Sequence, residues 1–158
     1  MLAKIKPFVI SILVPLAVGG LSALLTMGNM DIYSEVNTPA LSPPGFLFPI
    51  VWTVLYILMG ISAVIVFGKR EEYPSEVRRA LTVYGISLAV NFFWSIIFFN
   101  MRSFLFAFVW LLLLWFLILR TIMLYRPISP LAAYLQIPYL LWVTFAGYLN
   151  FGIFLMNM

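Results

Sequence analysis

The chain has 158 residues, of which 65% are hydrophobic, 18% aromatic and only 9% charged. A water-soluble domain carries about 25% charged residues, so this composition excludes an exterior built to face water. There is neither cysteine nor histidine, which removes disulfides, thiolate nucleophiles, Ser-His-Asp chemistry, most transition-metal sites and ordinary axial ligation of haem iron. No metal site and no resident cofactor is therefore expected. The net charge of +4 resides in short segments between apolar runs, where it reads as a topology signal rather than a nucleic-acid surface.

Five apolar runs follow one another, at 8–26, 46–67, 80–99, 103–125 and 131–156. Each is about 20 residues long, enough at 1.5 Å per residue to cross a hydrocarbon core of about 30 Å. Backbone groups in lipid must bond within their own segment, so each run is predicted to be a helix. The alternating ten-residue segments of a β-barrel are missing. The predicted fold is an all-α integral membrane protein, a bundle of five transmembrane helices forming one domain over 1–158.

In chain order, Lys4 and Lys6 precede a first run that is longer than the apolar core of a signal peptide and is read as a retained helix, bent at Pro15. Residues 27–45 form the longest polar segment, carrying Asn29, Asp31, Glu35 and Asn37 and ending Thr38-Pro39-Ala40-Leu41-Ser42-Pro43-Pro44-Gly45. Its prolines stop any helix, and a loop of this length is expected to act as a lid. A charged connector at 68–77 leads to the third run, a tight turn at 100–102 to the fourth, and Arg126-Pro127-Ile128-Ser129-Pro130 to the fifth. Eight of the nine Lys and Arg residues fall on one side of the predicted bundle, and Arg102 alone on the other. The positive-inside rule then expects a multi-pass protein of the cell membrane, with a cytoplasmic N-terminus and with the C-terminus and the 27–45 loop outside.

None of the runs contains Asp or Glu, which argues against ion-coupled transport, pumping or voltage sensing. The odd number of spans and the lack of an inverted repeat argue the same way. Aromatic residues sit inside the runs instead, and helical spacing lines them up. Trp52 and Tyr56 share a face of the second run. Ser87, Asn91, Trp94, Ser95 and Phe98 form a stripe on the third, and Pro138, Trp142, Ala146, Leu149 and Asn150 a face of the fifth. Counted from the run ends, Trp52 lies about 9 Å deep and Asn91 about 12 Å, both on the loop side. Such a set suits a chamber for a flat apolar ligand. A well-packed core, with Asn91 and Asn150 bonding across helices, accounts for the same pattern. Gly19 with Ala23, and Gly85 with Ala89, are small-residue pairs that fit either close packing in the bundle or a homodimer seam.

The stretch Ser42-Pro43-Pro44-Gly45-Phe46-Leu47-Phe48-Pro49-Ile50-Val51-Trp52-Thr53-Val54-Leu55-Tyr56-Ile57-Leu58-Met59-Gly60 resembles the signature of the TspO/MBR family, that of the tryptophan-rich sensory and translocator proteins. The resemblance continues through Asn91-Phe92-Phe93-Trp94-Ser95, Pro138-Tyr139-Leu140-Leu141-Trp142 and Phe145-Ala146-Gly147-Tyr148-Leu149-Asn150-Phe151. It implies a membrane receptor, usually a homodimer, for porphyrins such as protoporphyrin IX and haem and for benzodiazepine and isoquinoline compounds. The implied pocket lies between the helices under the first loop. Matching pocket positions are Trp52, Asn91, Trp94, Trp142, Ala146 and Leu149, and Tyr33, Pro49, Tyr56 and Ser95 are counted with them. Phe106 stands where vertebrate relatives have a tryptophan. The resemblance also implies a role in light-dependent porphyrin breakdown, with Trp52 and Trp142 as candidate participants, or else in tetrapyrrole transport. The basic residue that follows a tyrosine in the last helix of animal members is missing after Tyr148, which argues against cholesterol as a ligand. The partners implied are thus a porphyrin or similar flat apolar molecule, the lipid bilayer and a second copy of the chain, with no nucleic acid.

Overall fold

The computed structural model describes residues 2–26, 28, 35–44 and 46–158. The described residues contain no strand, and five helical stretches are long and apolar enough to cross a membrane. Helix α1 is Leu2–Thr26, α2 is Leu47–Phe67 and α3 is Pro74–Ser95. Helix α3 runs on into a π turn at Ile96–Asn100. Helix α4 is Phe104–Tyr125, and the fifth span is two pieces, α5 at Pro130–Leu135 and α6 at Ile137–Met156.

Several boundaries differ from the apolar runs, with α1 starting at Leu2 instead of residue 8, and two of the differences have identifiable reasons. Helix α3 starts at Pro74, six residues before the run at 80–99, because charged Glu76, Arg78 and Arg79 are already helical. Proline fits the first helical position, where no N–H is needed, and the Val77 N–H closes the first turn on the Tyr73 carbonyl at 2.9 Å. The fifth span is likewise opened by Pro130, with the Ser129 hydroxyl accepting from the Ala132 N–H at 3.3 Å. Pro138, which has no N–H to offer, falls just after the point at Gln136 where α5 gives way to α6.

The helices close a ring. Helix α1 packs along α2 and, more lightly, α3; α3 packs along α4; α4 packs on α5 and α6; and α2 completes the circuit against α5. Helix α2 touches α6 only sparsely, so the second and fifth spans are close at the basic end, where α5 lies, and apart at the loop end. The core carries fully buried Met59, Val66, Ala80, Phe98, Ala107, Leu114, Tyr125 and Ile153. The outside is apolar as well: Phe8, Leu13, Leu24, Val54, Phe93, Val109 and Phe116 are all exposed, which lipid accommodates and water does not.

The tightest helix contact is between α1 and α2. A Cβ placed on Gly60 would stand 2.6 Å from the Ile12 Cα and 2.7 Å from the Ser11 carbonyl oxygen. Pro15, four residues after Ser11, cannot donate to that carbonyl; α1 nevertheless continues as helix through Pro15. The Ser11 hydroxyl donates to the Gly60 carbonyl at 2.7 Å. Two turns along, Gly19 lies under the Tyr56 ring, which leaves no space for a Cβ there. Gly19 therefore serves contact within the bundle. Gly85 and Ala89 face outward, and a Cβ on Gly85 would meet nothing within 4 Å.

Candidate functional site: a cavity between four helices

At the loop end, where α2 and α6 stand apart, the bundle encloses a cavity of about 320 Å³, at the low end of the range for small-molecule sites. Helix α2 contributes Phe48, Pro49, Trp52, Thr53 and Tyr56. Helix α3 and its π turn contribute Trp94, Ser95 and Phe99, and α6 contributes Trp142, Ala146 and Leu149. The α1 wall is made of small side chains, Gly19, Gly20, Ser22 and Ala23, with Leu16 and Thr26 at its ends. A second, larger groove of about 440 Å³ lies between α4 and α6, but its walls, among them Phe108, Leu112, Trp115 and Phe116, are almost wholly apolar and face outward. Polar groups converge only on the first.

The aromatic walls are held by ring packing and by hydrogen bonds made behind them. The Trp52 ring stacks on Tyr56 at 5.5 Å and 27° and meets the edge of Tyr139 at 6.2 Å. Trp94 stacks on Phe98 at 5.1 Å, and its indole N–H donates to Asn150 Oδ1 at 3.1 Å. Asn150 Nδ2 in turn donates to the Phe104 carbonyl at 2.8 Å, tying α3, α4 and α6 together. Trp142 meets the ring of Phe48 edge-on at 5.8 Å, closing the side between α2 and α6. Its indole N–H is buried with no protein acceptor.

The structure brings together most of the residues singled out from the sequence. Pro49, Trp52, Tyr56, Trp94, Ser95, Trp142, Ala146 and Leu149 all line the cavity. Asn91 does not: it is buried behind the wall, its Nδ2 donating to the hydroxyls of Tyr56 at 3.3 Å and Tyr139 at 3.1 Å. It fixes the angle of the Tyr56 ring instead of facing the space. Phe106 is also elsewhere, half exposed on α4 with its ring against Trp110. Tyr33 lies outside the described residues. The α1 residues and Thr53, Phe48 and Phe99 were not anticipated. The Gly19–Ala23 spacing was the available signal, since small residues on a helix facing aromatics leave room as readily as they allow packing.

The described part of the loop, residues 35–44, adds no side chain to the walls. It is fastened to the end of α6. The Asn37 N–H donates to Asn157 Oδ1 at 3.0 Å, and Asn157 Nδ2 returns a bond to the Asn37 carbonyl at 2.8 Å. The Tyr148 hydroxyl donates to the Ala40 carbonyl at 2.5 Å. The Pro39 ring covers Gly152 closely enough to leave no space for a Cβ there, and Arg102 pairs with Glu35.

Among the described residues, no Asp, Glu, Lys or Arg lines the cavity. The Thr26 and Thr53 hydroxyls donate back to the carbonyls of Ser22 and Pro49, which leaves them as acceptors. The described walls offer ring faces and a few hydroxyl oxygens, and among the described residues they hold no acid–base pair for hydrolysis.

Fold and cavity together define a multi-pass helical membrane protein with an aromatic chamber inside its bundle. A sequence profile of the TspO/MBR family matches residues 11–156, and the chain belongs to that family. It is 40% identical over 125 residues to the tryptophan-rich protein TspO of Chlorobaculum tepidum, covering 79% of this chain and 78% of that one. It is 35% identical over 155 residues to the protein of the same name in Archaeoglobus fulgidus, covering 98% and 99%. The translocator protein of Homo sapiens is 34% identical over 119 residues, covering 75% and 70%.

Proposed function

We propose that the chain is a membrane receptor for a flat, apolar, aromatic ligand of the porphyrin type, protoporphyrin IX or haem, seated against Trp52 and Trp142. The observation that carries this reading is the convergence of Trp52, Tyr56, Trp94 and Trp142 on one uncharged space. Aromatic faces attract one another by offset stacking and area burial, and a porphyrin offers the largest such face among common biological ligands. Isoquinoline and benzodiazepine compounds share the chemistry on a smaller scale. Haem would have no histidine or cysteine axial ligand, so the ring faces carry the contact. The distribution of basic residues supports a cytoplasmic N-terminus, which would put the cavity in the outer leaflet of the cell membrane. Exposed Gly85 and Ala89 on α3 suit a seam between two copies.

Titrating protoporphyrin IX against the purified protein and following tryptophan quenching tests the reading. Saturable binding is expected, weakened about tenfold or more in a Trp52→Leu, Trp142→Leu double variant, since stacking on each ring supplies about 0.5–1.5 kcal/mol. Unchanged affinity in that variant would remove the stacking model. Illuminating the same complex separates a receptor from a photodegrading protein: a new absorbing product that depends on the two tryptophans would mark the latter.

A further inference from the structure

Among the cavity-lining residues, four are exposed: Gly20 and Ala23 on α1, Pro49 and Thr53 on α2. Those on α3 and α6 are buried or half-buried. The placement of the four follows from the path of the two helices. On α2, Pro49, Thr53, Tyr56 and Gly60 lie at i, i+4, i+7 and i+11, one face of the helix. The lower part of that face is pressed onto α1, Gly60 against Ser11 and Ile12, Tyr56 against Gly19. Its upper part, Thr53 and Pro49, has the same orientation but is exposed. On α1, Ile12, Gly19 and Ala23 form the matching face, and Ala23 is again the exposed member. The helices are therefore in backbone contact at the basic end and diverge toward the loop end. The gap between them runs from the cavity to the outer surface of the bundle, which is lipid.

Among the described residues, the side between α2 and α6 is closed and the loop segment 35–44 is held in place. Phe48 and Trp142 meet between α2 and α6. The described part of the loop is fastened to α6 by the paired bonds of Asn37 and Asn157 and by Tyr148. The gap is also the side where nothing resists: a Cβ on Gly20 would meet no atom within 4 Å.

We propose that the ligand passes into the cavity sideways, from the lipid leaflet at the loop end, through the gap between α1 and α2, with the loop staying fastened throughout. This rests on the cavity being a binding site for an apolar ligand. It gives the site a class of ligand source: molecules already dissolved in the bilayer. It also accommodates a ring larger than about 320 Å³ of enclosed space, because part of the molecule can project between the helices into lipid.

The chain has no cysteine, so three variants test the route directly in phosphatidylcholine vesicles preloaded with protoporphyrin IX. Asn37→Cys with Asn157→Cys closes a disulfide where the two asparagines now bond, its formation read by thiol titration. Gly20→Phe fills the gap with a ring, and Gly20→Ala is the milder member of the same series. Stopped-flow tryptophan quenching reads the loading rate, and equilibrium titration reads affinity. The oxidised double-cysteine variant is expected to load at the wild-type rate. Gly20→Phe is expected to load about tenfold more slowly or worse, a barrier increase of about 1.4 kcal/mol, with Gly20→Ala between it and wild type. Loading blocked by the disulfide and restored by reduction would overturn the route, as would wild-type loading by Gly20→Phe. If wild-type protein shows no saturable quenching at all, it is the binding reading that fails, and the route falls with it.

Discussion

Gly60→Ala places a methyl group where two backbones meet. Its Cβ would lie 2.6 Å from the Ile12 Cα, 2.7 Å from the Ser11 carbonyl oxygen and 2.9 Å from the Ile12 Cγ1. Comfortable carbon contacts are about 3.5–4.0 Å, so α1 must withdraw by about 1 Å. The two nearest atoms are main chain, and no rotamer change relieves them. Withdrawal also draws the Ser11 hydroxyl away from the Gly60 carbonyl, which it now reaches at 2.7 Å. Overpacking of this kind costs about 1–3 kcal/mol and the weakened hydrogen bond about 0.5–1.5 kcal/mol. The better helix propensity of alanine returns about 1 kcal/mol, leaving a net loss of about 0.5–3.5 kcal/mol. At about 2–4 °C per kcal/mol for a chain of this size, detergent-solubilised Gly60→Ala should melt about 1–14 °C below wild type by tryptophan fluorescence. Gly20→Ala, also in the α1–α2 pair, is the matched control, with nothing within 4 Å of the new methyl, and should melt at or slightly above the wild-type temperature. If the two variants melt together, the α1–α2 contact is looser than described and the argument fails.

Tyr84 and Tyr139 are both buried in the bundle, yet they should respond in opposite directions to loss of the hydroxyl. The Tyr139 oxygen accepts from Asn91 at 3.1 Å, whereas the Tyr84 hydroxyl has no protein partner. Tyr139→Phe should therefore lower stability by about 0.5–1.5 kcal/mol, while Tyr84→Phe should be neutral or stabilising; a clear drop in the melting temperature of Tyr84→Phe would reveal a bound water. Arg102→Gln, which breaks the partly exposed pair with Glu35, should cost no more than about 1 kcal/mol. A larger loss, or one that persists unchanged in high salt, would show that the pair does more than assist the loop.

How much of this could be read from the sequence depends on what makes each feature. The spans were legible because lipid imposes a length and a composition. Their starts at Pro74 and Pro130 were not, because apolar runs ignore the charged first turn of α3 and the capping serine of α5. The cavity walls on α2, α3 and α6 were legible because large rings at helical spacing leave a pattern. The α1 wall was not, because Gly19, Gly20 and Ala23 shape space by having almost no side chain. Asn91 shares a stripe with Trp94, and periodicity alone could not tell that two tyrosine hydroxyls hold it behind the wall. Phe106 follows the turn at 101–103, whose backbone sets the rotation of α4, and Arg102 there adopts a positive φ of 49° that no hydropathy pattern records.

The π turn at Ile96–Asn100 has a consequence for how such a cavity can change over evolutionary time. A π turn holds one residue more than the α-helical turn it replaces; here the Met101 N–H reaches back five residues to the Ile96 carbonyl at 3.1 Å. The extra residue lets two neighbours, Phe98 and Phe99, both point inward, one wholly into the core and the other into the cavity wall. Deleting a single residue from this turn would return α3 to plain α-helix and rotate one of those rings away, while leaving the other walls untouched. Insertion and deletion at this one turn thus form a dial on the shape of the chamber, set independently of the residues that build the rest of it.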